Sequence, residues 1–342
     1  MGYQSAFQLG SLVLPNNLFA APLAGFTDRP FRRLCRHFFK GLIFCEMVKI
    51  EALVRRIPAT LRYLEAGLEE HPLGAQICGS KPEIARQAAL IIEEMGFDLI
   101  DLNCGCPVDK VIKDGSGSGL LLKPDLIGEM LSALVSSVKI PVTLKVRLGW
   151  DDDKINVLEV LKIAEKAGAK AITVHGRTRR QGYRGKASLQ MIKECKQTAR
   201  TIKVIGNGDL FSLEAVLEMF QQTGCDGVML SRGMVGNPWL FEQIAAFPLK
   251  TEKSPEALKK TIQKHFELIQ KEAGKEEKTK LFDMRRMIGW YLKGCSNAKE
   301  LKMEVMRAEK SEAVFGLIEN YPWDKVFSNR RAGHEDRDQI AF

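Results

Sequence analysis

The chain has 342 residues, of which 45% are hydrophobic and 27% carry a charge. At about 150 residues per domain, this length predicts two domains, and the composition excludes a disordered chain. No apolar run reaches the roughly 18 residues that cross a bilayer, so a membrane-spanning protein is excluded as well. Residues 1–10 lack the basic and apolar parts of a secretory leader, which favours a cytoplasmic protein. The net charge of +9 suits a polyanionic partner such as nucleic acid, but it equally suits plain solubility.

The eight cysteines do not form a disulfide framework. They are scattered through apolar segments, no Cys-x-x-Cys pair occurs, and the five histidines are dispersed. This pattern is typical of reduced, mostly buried thiols, and it offers no ligand set for a zinc ion. We therefore predict a protein without a metal site.

Short apolar runs alternate with amphipathic stretches from residue 18 to about residue 246. Pro82 and Pro124 stand where a first helical turn tolerates proline, and Gly96, Gly168 and Gly224 stand where helix C-caps belong. Eight alternating units predict an α/β fold of the (β/α)8 TIM-barrel type. An open doubly wound sheet would instead show a Gly-x-Gly-x-x-Gly turn after its first strand. The predicted strands are 18–24, 42–47, 73–78, 98–103, 142–146, 171–175, 203–207 and 227–230, and the predicted helices include 81–95, 124–138, 157–167 and 213–222.

After residue 246 the pattern changes to helices alone. Ser254 and Pro255 open a helix with a cap and a proline in the first turn, and apolar residues then recur at helical spacing. We therefore divide the chain into a barrel domain, residues 1–246, and a small C-terminal helical bundle domain, residues 247–342, which ends in a polar segment from Ser328. Further helices are predicted near 276–292, 298–308 and 312–318.

Polar residues stand at the carboxyl ends of the predicted strands, where a barrel builds its active site. Gln76, Lys145, His175 and Asn207 occupy strand positions that are normally Val, Ile or Leu. Such groups need hydrogen-bond partners when they are buried, and a planar polar ligand would supply them. The sequence therefore predicts a ligand site at this mouth of the barrel.

Glycine-containing turns follow the seventh and eighth predicted strands, where many barrels bind a phosphate. Glycines let backbone N–H groups approach an anion, and we expect each turn to lead into a helix whose dipole favours negative charge. Each turn alone is more often only a tight turn, but together at these two strands they indicate a phosphate site. The two turns are Gly206-Asn207-Gly208-Asp209 and Ser231-Arg232-Gly233-Met234-Val235-Gly236.

Lys145 and Cys106 are the two candidates for chemistry at this mouth. Lys145 is a solvated strand-end lysine, a Schiff-base nucleophile, or a fixed cation against the pyrimidine edge of a reduced flavin. Cys106 follows a strand and stands between Gly105 and Pro107, which favours a reactive thiol over one more buried cysteine. Cys104, two residues earlier, is the alternative reactive thiol.

These residues resemble the flavin-dependent tRNA-dihydrouridine synthases. The matching stretches occur in that family's order, span the whole barrel and continue into the helical tail. The Asn-x-Gly-Cys-Pro block and the His-Gly-Arg-Thr block are specific, whereas glycine-rich turns alone are not. The stretches begin at Ala21, Asn103, Lys145, His175, Gly206 and Gly236 in the barrel and at Arg285 and Trp290 in the tail.

The resemblance implies an oxidoreductase that binds FMN in the barrel mouth and is reduced by NADPH or NADH. Such enzymes reduce the C5=C6 bond of specific uridines in tRNA to 5,6-dihydrouridine, with hydride delivered to C6 and a cysteine proton to C5. By match this cysteine is Cys106, and a thiol with an ordinary pKa of about 8.5 can donate a proton at neutral pH. The residues that match the FMN site are Pro22, Leu23, Ala24, Gln76, Lys145, His175, Asn207, Gly208, Asp209, Ser231, Arg232 and Gly233.

The resemblance also makes tRNA the partner, and we expect a monomer without a membrane or metal partner. The target base must leave the RNA stack to reach the flavin, which requires a basic, partly aromatic rim. The helical domain is expected to bind tRNA too. The predicted substrate-binding residues are Asn103, Arg147, Arg177, Arg179, Arg180 and Tyr183, with Arg184 in the same loop.

Other functions remain open from the residues alone. They are an FMN barrel oxidoreductase for a small pyrimidine, a Schiff-base lyase that uses Lys145, and a non-catalytic RNA-binding module. The arginine-rich loop after His175 and the helical tail favour the RNA substrate. Two departures from the family pattern, Ser231 for glycine and Leu23 for methionine, affect the details of the contacts at the predicted FMN site.

Overall fold

The computed structural model describes residues 6–249 and 254–326, so the predicted polar segment from Ser328 lies outside the described residues. Within these ranges, nine strands form one parallel sheet and two form an antiparallel hairpin. The strands are β1 (Phe7–Leu9), β2 (Leu12–Leu14), β3 (Leu18–Ala20), β4 (Leu42–Phe44), β5 (Val48–Lys49), β6 (Leu73–Cys78), β7 (Leu99–Cys104), β8 (Val142–Arg147), β9 (Ala171–His175), β10 (Lys203–Asn207) and β11 (Gly227–Leu230).

Eight of these strands close a barrel, which confirms the predicted fold class. The last strand, β11, pairs with β3, and β4 pairs with β6, while β5 only extends the edge of β6. The strands β3 and β4 end at Ala20 and Phe44, earlier than predicted. For β3 the reason is Pro22, which has no N–H to continue the ladder after Ala21 N has donated to Leu230 O at 2.8 Å.

Helices follow the barrel strands and cover their outer face. Side-chain caps set their starts: the Asp28 carboxylate accepts from Phe31 N, and the Ser212 hydroxyl accepts from Ala215 N. Gly224 ends its helix in the left-handed region, at φ +65°, as predicted. Helices here are α1 (Arg29–Phe38), α2 (Ile50–Val54), α3 (Pro58–Tyr63), α4 (Pro82–Glu94), α5 (Asp109–Ile112), α6 (Pro124–Val135), α7 (Val157–Lys166), α8 (Leu189–Thr198), α9 (Leu213–Thr223) and α10 (Leu240–Ala246).

The β1–β2 hairpin was not predicted, because its three-residue strands are too short to show a period in the sequence. Phe7, Leu9 and Leu14 of the hairpin are buried in one cluster with Leu99 and Ala171, the first residues of β7 and β9. The hairpin therefore closes the amino-terminal end of the barrel, and ligands reach the interior from the opposite mouth.

Within residues 254–326, four α-helices follow the barrel and share its hydrophobic core. Phe26, in the loop after β3, packs edge-to-face on Trp290 at 5.8 Å. Lys275 Nζ donates to the carboxylates of Asp28, at 2.7 Å, and Asp283, at 2.9 Å, so the same loop is tied to these helices by charge as well. Within residues 6–249 and 254–326, every helix is too short or too polar to span a bilayer. The additional helices are α11 (Pro255–Lys271), α12 (Glu277–Tyr291), α13 (Lys299–Arg307) and α14 (Ser311–Asn320).

Candidate active site

The interior of the barrel changes from apolar at the hairpin end to polar at the open mouth. The strand register places Asn103 beside Lys145, Lys145 beside Thr173, and Asn207 beside His175. Paired positions in parallel strands face the same side, so these polar side chains share the interior. The mouth is therefore a continuous polar surface surrounded by an apolar barrel wall.

A chain of buried hydrogen bonds crosses one side of this mouth. Gln76 Nε2 donates to Asp101 Oδ2 at 2.7 Å, and Gln76 Oε1 accepts from Asn103 Nδ2 at 2.8 Å. The Thr143 hydroxyl donates to Asp101 Oδ1 at 2.7 Å. The partners that we expected a ligand to supply to Gln76 therefore come largely from the protein itself.

Cys106 is held by its backbone on both sides. Its N–H donates to Asn103 Oδ1 at 2.8 Å, and its carbonyl accepts from both the N–H and the hydroxyl of Ser118, at 3.0 and 2.9 Å. Gly117 passes so close that a Cβ there would lie 2.9 Å from the Cys106 carbonyl oxygen. Burial raises the pKa of the Cys106 thiol by more than the Val108 N–H and the nearby cations, Arg147 first among them, lower it. The half-buried thiol therefore stays protonated at neutral pH.

Lys145 reaches across the mouth from β8. Its Nζ donates to Asn207 Oδ1 at 3.0 Å, and Asn207 Nδ2 in turn donates to Met229 O and to the Ser231 hydroxyl. Burial, followed by repulsion from Arg147, lowers the pKa of Lys145 to about 8. The side chain is thus a fixed ammonium group at neutral pH, close to its titration range.

His175 and Arg177 form a buried cationic region with one carboxylate. The Arg177 guanidinium binds both oxygens of Asp209, at 2.8 and 2.7 Å, and also donates to the carbonyls of Arg184 and Gly185. Burial and the surrounding cations hold the pKa of His175 well below its usual range, so its ring is neutral. The Arg177 side chain is only 2% exposed, which places it beneath the rim.

Aromatic and cationic side chains alternate beside this region. The Arg232 guanidinium lies 4.1 Å from the Tyr183 ring centroid and 5.3 Å from that of Phe211. The Arg147 guanidinium lies 5.7 Å from the same tyrosine ring, and Arg147 also donates to the Gly105 and other carbonyls. Cation–π contacts of this kind hold arginines in place without neutralising them. The mouth consequently keeps an excess of positive charge.

The loop after β3 closes the other side of the mouth. The Thr27 hydroxyl bonds both the N–H and the carbonyl of Leu23, and the Glu46 carboxyl accepts from Gly25 N at 3.0 Å. Burial raises the pKa of Glu46 to about 7. These contacts fix the backbone of the predicted flavin-lining residues, of which Ala24 is exposed.

The two predicted phosphate turns are present, but only one leads into an α-helix nearby. Gly208 and Asp209 both have positive φ, +122° and +55°, and the chain then enters α9 at Leu213. The second turn forms a 3₁₀ segment, Arg232–Met234, and α10 begins only at Leu240. The expected helix start is wrong here because Gly236, at φ +64°, and Pro238 interrupt the helical path.

Comparison with known proteins identifies the family. The sequence profile of Dihydrouridine synthase (Dus) matches residues 19–324. The chain belongs to the dihydrouridine synthase family. It is 38% identical over 322 residues to tRNA-dihydrouridine synthase B of Pseudomonas aeruginosa, covering 93% of this chain and 96% of that protein. It is also 38% identical over 320 residues to the probable tRNA-dihydrouridine synthase 1 of Synechocystis sp., covering 91% and 88%.

This result confirms the resemblance and the predicted enzyme class, an oxidoreductase. Similar solved structures are more distant in sequence. Histamine dehydrogenase from Rhizobium sp. 4-9 aligns with a TM-score of 0.55 at 13% identity, covering 77% of this chain and 50% of that one. Morphinone reductase aligns with a TM-score of 0.53 at 15% identity, covering 75% and 92%. At such identities the likeness shows the barrel fold alone.

In this dihydrouridine synthase, the other residues predicted to bind substrate lie outside the mouth. Arg180 and Arg184 are exposed on the loop after β9. Arg179 is half-buried, stacks on Trp150 with its guanidinium 4.7 Å from the ring centroid, and pairs with the exposed Asp109. The predicted rim is therefore an outer edge of arginines around a deeper layer that contains Arg147, Arg177 and Tyr183.

Sequence reasoning missed four residues that organise the site. Asp101 and Thr143 lie beneath Gln76, Ser118 holds the Cys106 carbonyl, and Glu46 holds the loop after β3. A signal for Asp101 was available, because it stands two residues before Asn103 and so faces the same side of β7. For Ser118 and Glu46 no local pattern reveals the contact.

The Arg177–Asp209 pair should contribute strongly to stability. Replacing Arg177 by methionine keeps much of the buried volume, but it removes the donor that Asp209 shares with the Arg184 and Gly185 carbonyls. Asp209 then keeps the Ala187 N–H, at 2.8 Å, and Arg232, at 3.9 Å. We expect the free energy of unfolding to fall by about 3 kcal/mol. Urea unfolding measures this, with Arg179→Met as the control. The surface pair of Arg179 with Asp109 should contribute about 0.5 kcal/mol to the free energy of unfolding. Equal losses of stability in both variants would contradict the structural role of Arg177.

Proposed function

We propose that this protein reduces the C5=C6 bond of specific uridines in tRNA to 5,6-dihydrouridine, with FMN as cofactor and NADPH or NADH as reductant. The observation that carries the proposal is the protonated Cys106 thiol beside a polar barrel mouth, in a chain of the dihydrouridine synthase family. The two relatives described above are named tRNA-dihydrouridine synthases. We place the reaction in the cytoplasm, where tRNA is available, and on a monomer.

The donor set of the mouth fits FMN. Lys145 has three N–H donors and, among the described residues, one acceptor, Asn207, so its remaining donors are available to a ligand. Gln76 keeps a second amide hydrogen and a second lone pair, which suits the alternating donors and acceptors of a pyrimidine edge. Bound FMN supplies the hydride. The residues proposed to hold it are Pro22, Leu23, Ala24, Gln76, Lys145, His175, Asn207, Gly208, Asp209, Ser231, Arg232 and Gly233.

Each part of this set has a distinct physical role. The loop that contains Leu23 lines the ring, and Lys145 places positive charge against its pyrimidine edge. Backbone N–H groups of the two glycine turns, together with Arg232, bind the phosphate. Asp209 contributes through its backbone, because its carboxylate is already bonded to Arg177. The excess of arginine and lysine at the mouth matches a dianionic cofactor and a polyanionic substrate.

Cys106 acts as the acid. Reduction of a uracil at C6 leaves negative charge at C5 and O4, and a nearby proton donor neutralises it. The raised pKa keeps the Cys106 thiol protonated, and Asn103 and Ser118 fix its backbone. Asn103 also lies within the mouth, where it is proposed to contact the target base.

The rim and the helical region are proposed to bind tRNA. Arg179, Arg180 and Arg184 surround the mouth on the loop after β9, where they can contact phosphates flanking an extruded base. The helical domain, residues 247–342 as divided above, contributes α11 to α14, and Trp290 of α12 and Lys275, between α11 and α12, contact the loop after β3. A substrate that spans both parts explains why the barrel carries this helical region.

Purified protein with an unmodified tRNA transcript and NADPH tests the function. We expect FMN on denaturation, oxidation of NADPH that depends on tRNA, and uridine whose mass has increased by two hydrogens. Turnover of free uracil or uridine without tRNA would establish the small-pyrimidine oxidoreductase instead. A protein that fails to take up FMN, and that borohydride traps with a carbonyl compound at Lys145, would establish the lyase.

Removal of the outer arginines should weaken tRNA binding without affecting the flavin. For the double variant Arg180→Ala/Arg184→Ala we expect the dissociation constant for tRNA to rise about tenfold and the slope of log K against log salt to shrink by about two. The matched control is Arg200→Ala, an exposed arginine before β10 at the opposite end of the barrel. Filter binding across a salt series measures both, and an unchanged slope would remove these arginines from the interface.

A further inference from the structure

A directional chain of hydrogen bonds connects a buried carboxylate with the backbone of Cys106. Asp101 Oδ2 accepts from Gln76 Nε2 at 2.7 Å, and Gln76 Oε1 accepts from Asn103 Nδ2 at 2.8 Å. Asn103 Oδ1 then accepts from the N–H groups of Gly105, at 3.1 Å, and Cys106, at 2.8 Å. Asp101 and Gln76 are each 1% exposed, so water does not compete for these bonds.

The two ends of this chain determine its direction. An ionised carboxylate only accepts, and a backbone N–H only donates, whereas an amide side chain can present either its oxygen or its nitrogen. Asp101 therefore forces Gln76 to turn its nitrogen inward, which turns its oxygen toward Asn103 and the Asn103 oxygen toward Cys106. Burial raises the pKa of Asp101 to about 6, against the bonds from Gln76 and Thr143, so the group is ionised at neutral pH.

The opposite orientation of the chain would disturb Cys106. If Gln76 reversed, Asn103 would have to turn its own N–H2 group toward the N–H groups of Gly105 and Cys106. Donors would then face donors in a buried space, and the loop would lose the contact that holds it. The register of β6 and β7 keeps Gln76 beside Asp101, so this dependence is built into the barrel.

We propose that Asp101 is a positioning residue that sets the orientation of the Gln76 and Asn103 amides and thereby places Cys106 for proton donation. The benefit to catalysis rests on the function proposed above. The hydrogen-bond chain itself does not, because it is formed by this protein alone. Asp101 is buried beneath Gln76, so in this proposal it acts through its neighbours.

Two nearly isosteric substitutions and their combination test the proposal. In Asp101→Asn, the amide oxygen still accepts from Gln76 and the amide nitrogen donates to the Thr143 hydroxyl, which can accept as well as donate. In Thr143→Val, the carboxylate remains and still accepts from Gln76. In the double variant, no group opposite the new amide distinguishes its oxygen from its nitrogen. Only the Gly105 and Cys106 N–H groups then set the orientation of Gln76 and Asn103, so the reversed arrangement becomes easier to reach.

We expect both single variants to reduce uridine in tRNA with kcat within about threefold of the wild type. The double variant should lose a further tenfold in kcat beyond the product of the two single losses, corresponding to about 1.4 kcal/mol of coupling, and should retain its flavin. Hydrogen exchange of the peptide that contains Gly105 and Cys106 should accelerate at least tenfold in the double variant alone. A purely structural effect would instead lower the melting temperature and leave this peptide no faster than its neighbours.

Additive effects on kcat, or unchanged exchange at Gly105 and Cys106 in the double variant, would overturn the proposal. The exchange measurement needs no turnover, so it separates the two ideas. If the wild type does not reduce uridine but the exchange result holds, the proposed function fails and the orienting role of Asp101 stands. If the wild type is active and exchange is unchanged, only the role of Asp101 fails.

Discussion

Cys106→Ala is expected to lose about 10² to 10⁴ of the rate of uridine reduction and to keep its flavin. The loss follows from the absence of a positioned acid, because water would have to protonate C5 in a mouth from which the bound base excludes solvent. Flavin binding should persist, since the proposed cofactor contacts come from strand ends and backbone turns rather than from this thiol. Reduction of the bound flavin by NADPH should also be unaffected.

The measurement separates the two half-reactions. Stopped-flow absorbance records flavin reduction by NADPH and, separately, reoxidation of the reduced enzyme on addition of tRNA. Only the second should slow in the variant. Cys104→Ala is the matched control, because that thiol is fully buried in the barrel wall and burial holds its pKa well above the usual range. Full reoxidation in Cys106→Ala, or equal loss in Cys104→Ala, would remove Cys106 from the role of acid.

The barrel was predictable because its signals are local and repeated. The ranges 73–78, 171–175, 203–207 and 227–230 correspond residue for residue to β6, β9, β10 and β11. These strands are apolar runs buried on both faces, and they are bounded by turns or helix starts in the sequence. The β1–β2 hairpin lacked such a signal, since its stability comes from contacts with β7 and β9 that are distant in sequence.

The site was predictable in composition but not in its internal pairing. Strand ends identified Gln76, Lys145 and Asn207 as interior polar groups, and the register brings their strands to one mouth. The sequence predicted Arg147 and Arg177 as arginines of the rim, yet both side chains are buried and donate hydrogen bonds to backbone carbonyls. Whether an arginine serves as a structural donor or a phosphate ligand depends on carbonyls that the loop after β9 presents only once it is folded.

Replacing Lys145 by methionine is expected to slow the reduction of bound flavin by about 10² and to weaken FMN binding. The ammonium group is held in place by Asn207, so it would oppose negative charge at the pyrimidine edge of the proposed flavin without any reorganisation. Methionine fills similar space and removes the charge. Lys203→Met, at the start of β10 and hence at the far end of the barrel, is the matched control and should behave as the wild type.

The pH dependence provides the sharper test of Lys145. Burial lowers its pKa to about 8, so the cation is present below that pH and is lost as pH rises through it. The wild type should therefore show flavin reduction that declines above pH ~8, and this step should be absent in Lys145→Met. A Schiff-base role predicts the opposite pH dependence, because the neutral amine of Lys145 is then the nucleophile and the activity would rise through the same pH range. If the activity of the wild type rises with pH and the Lys145→Met variant has none, Lys145 is the nucleophile and its role as a fixed cation is rejected.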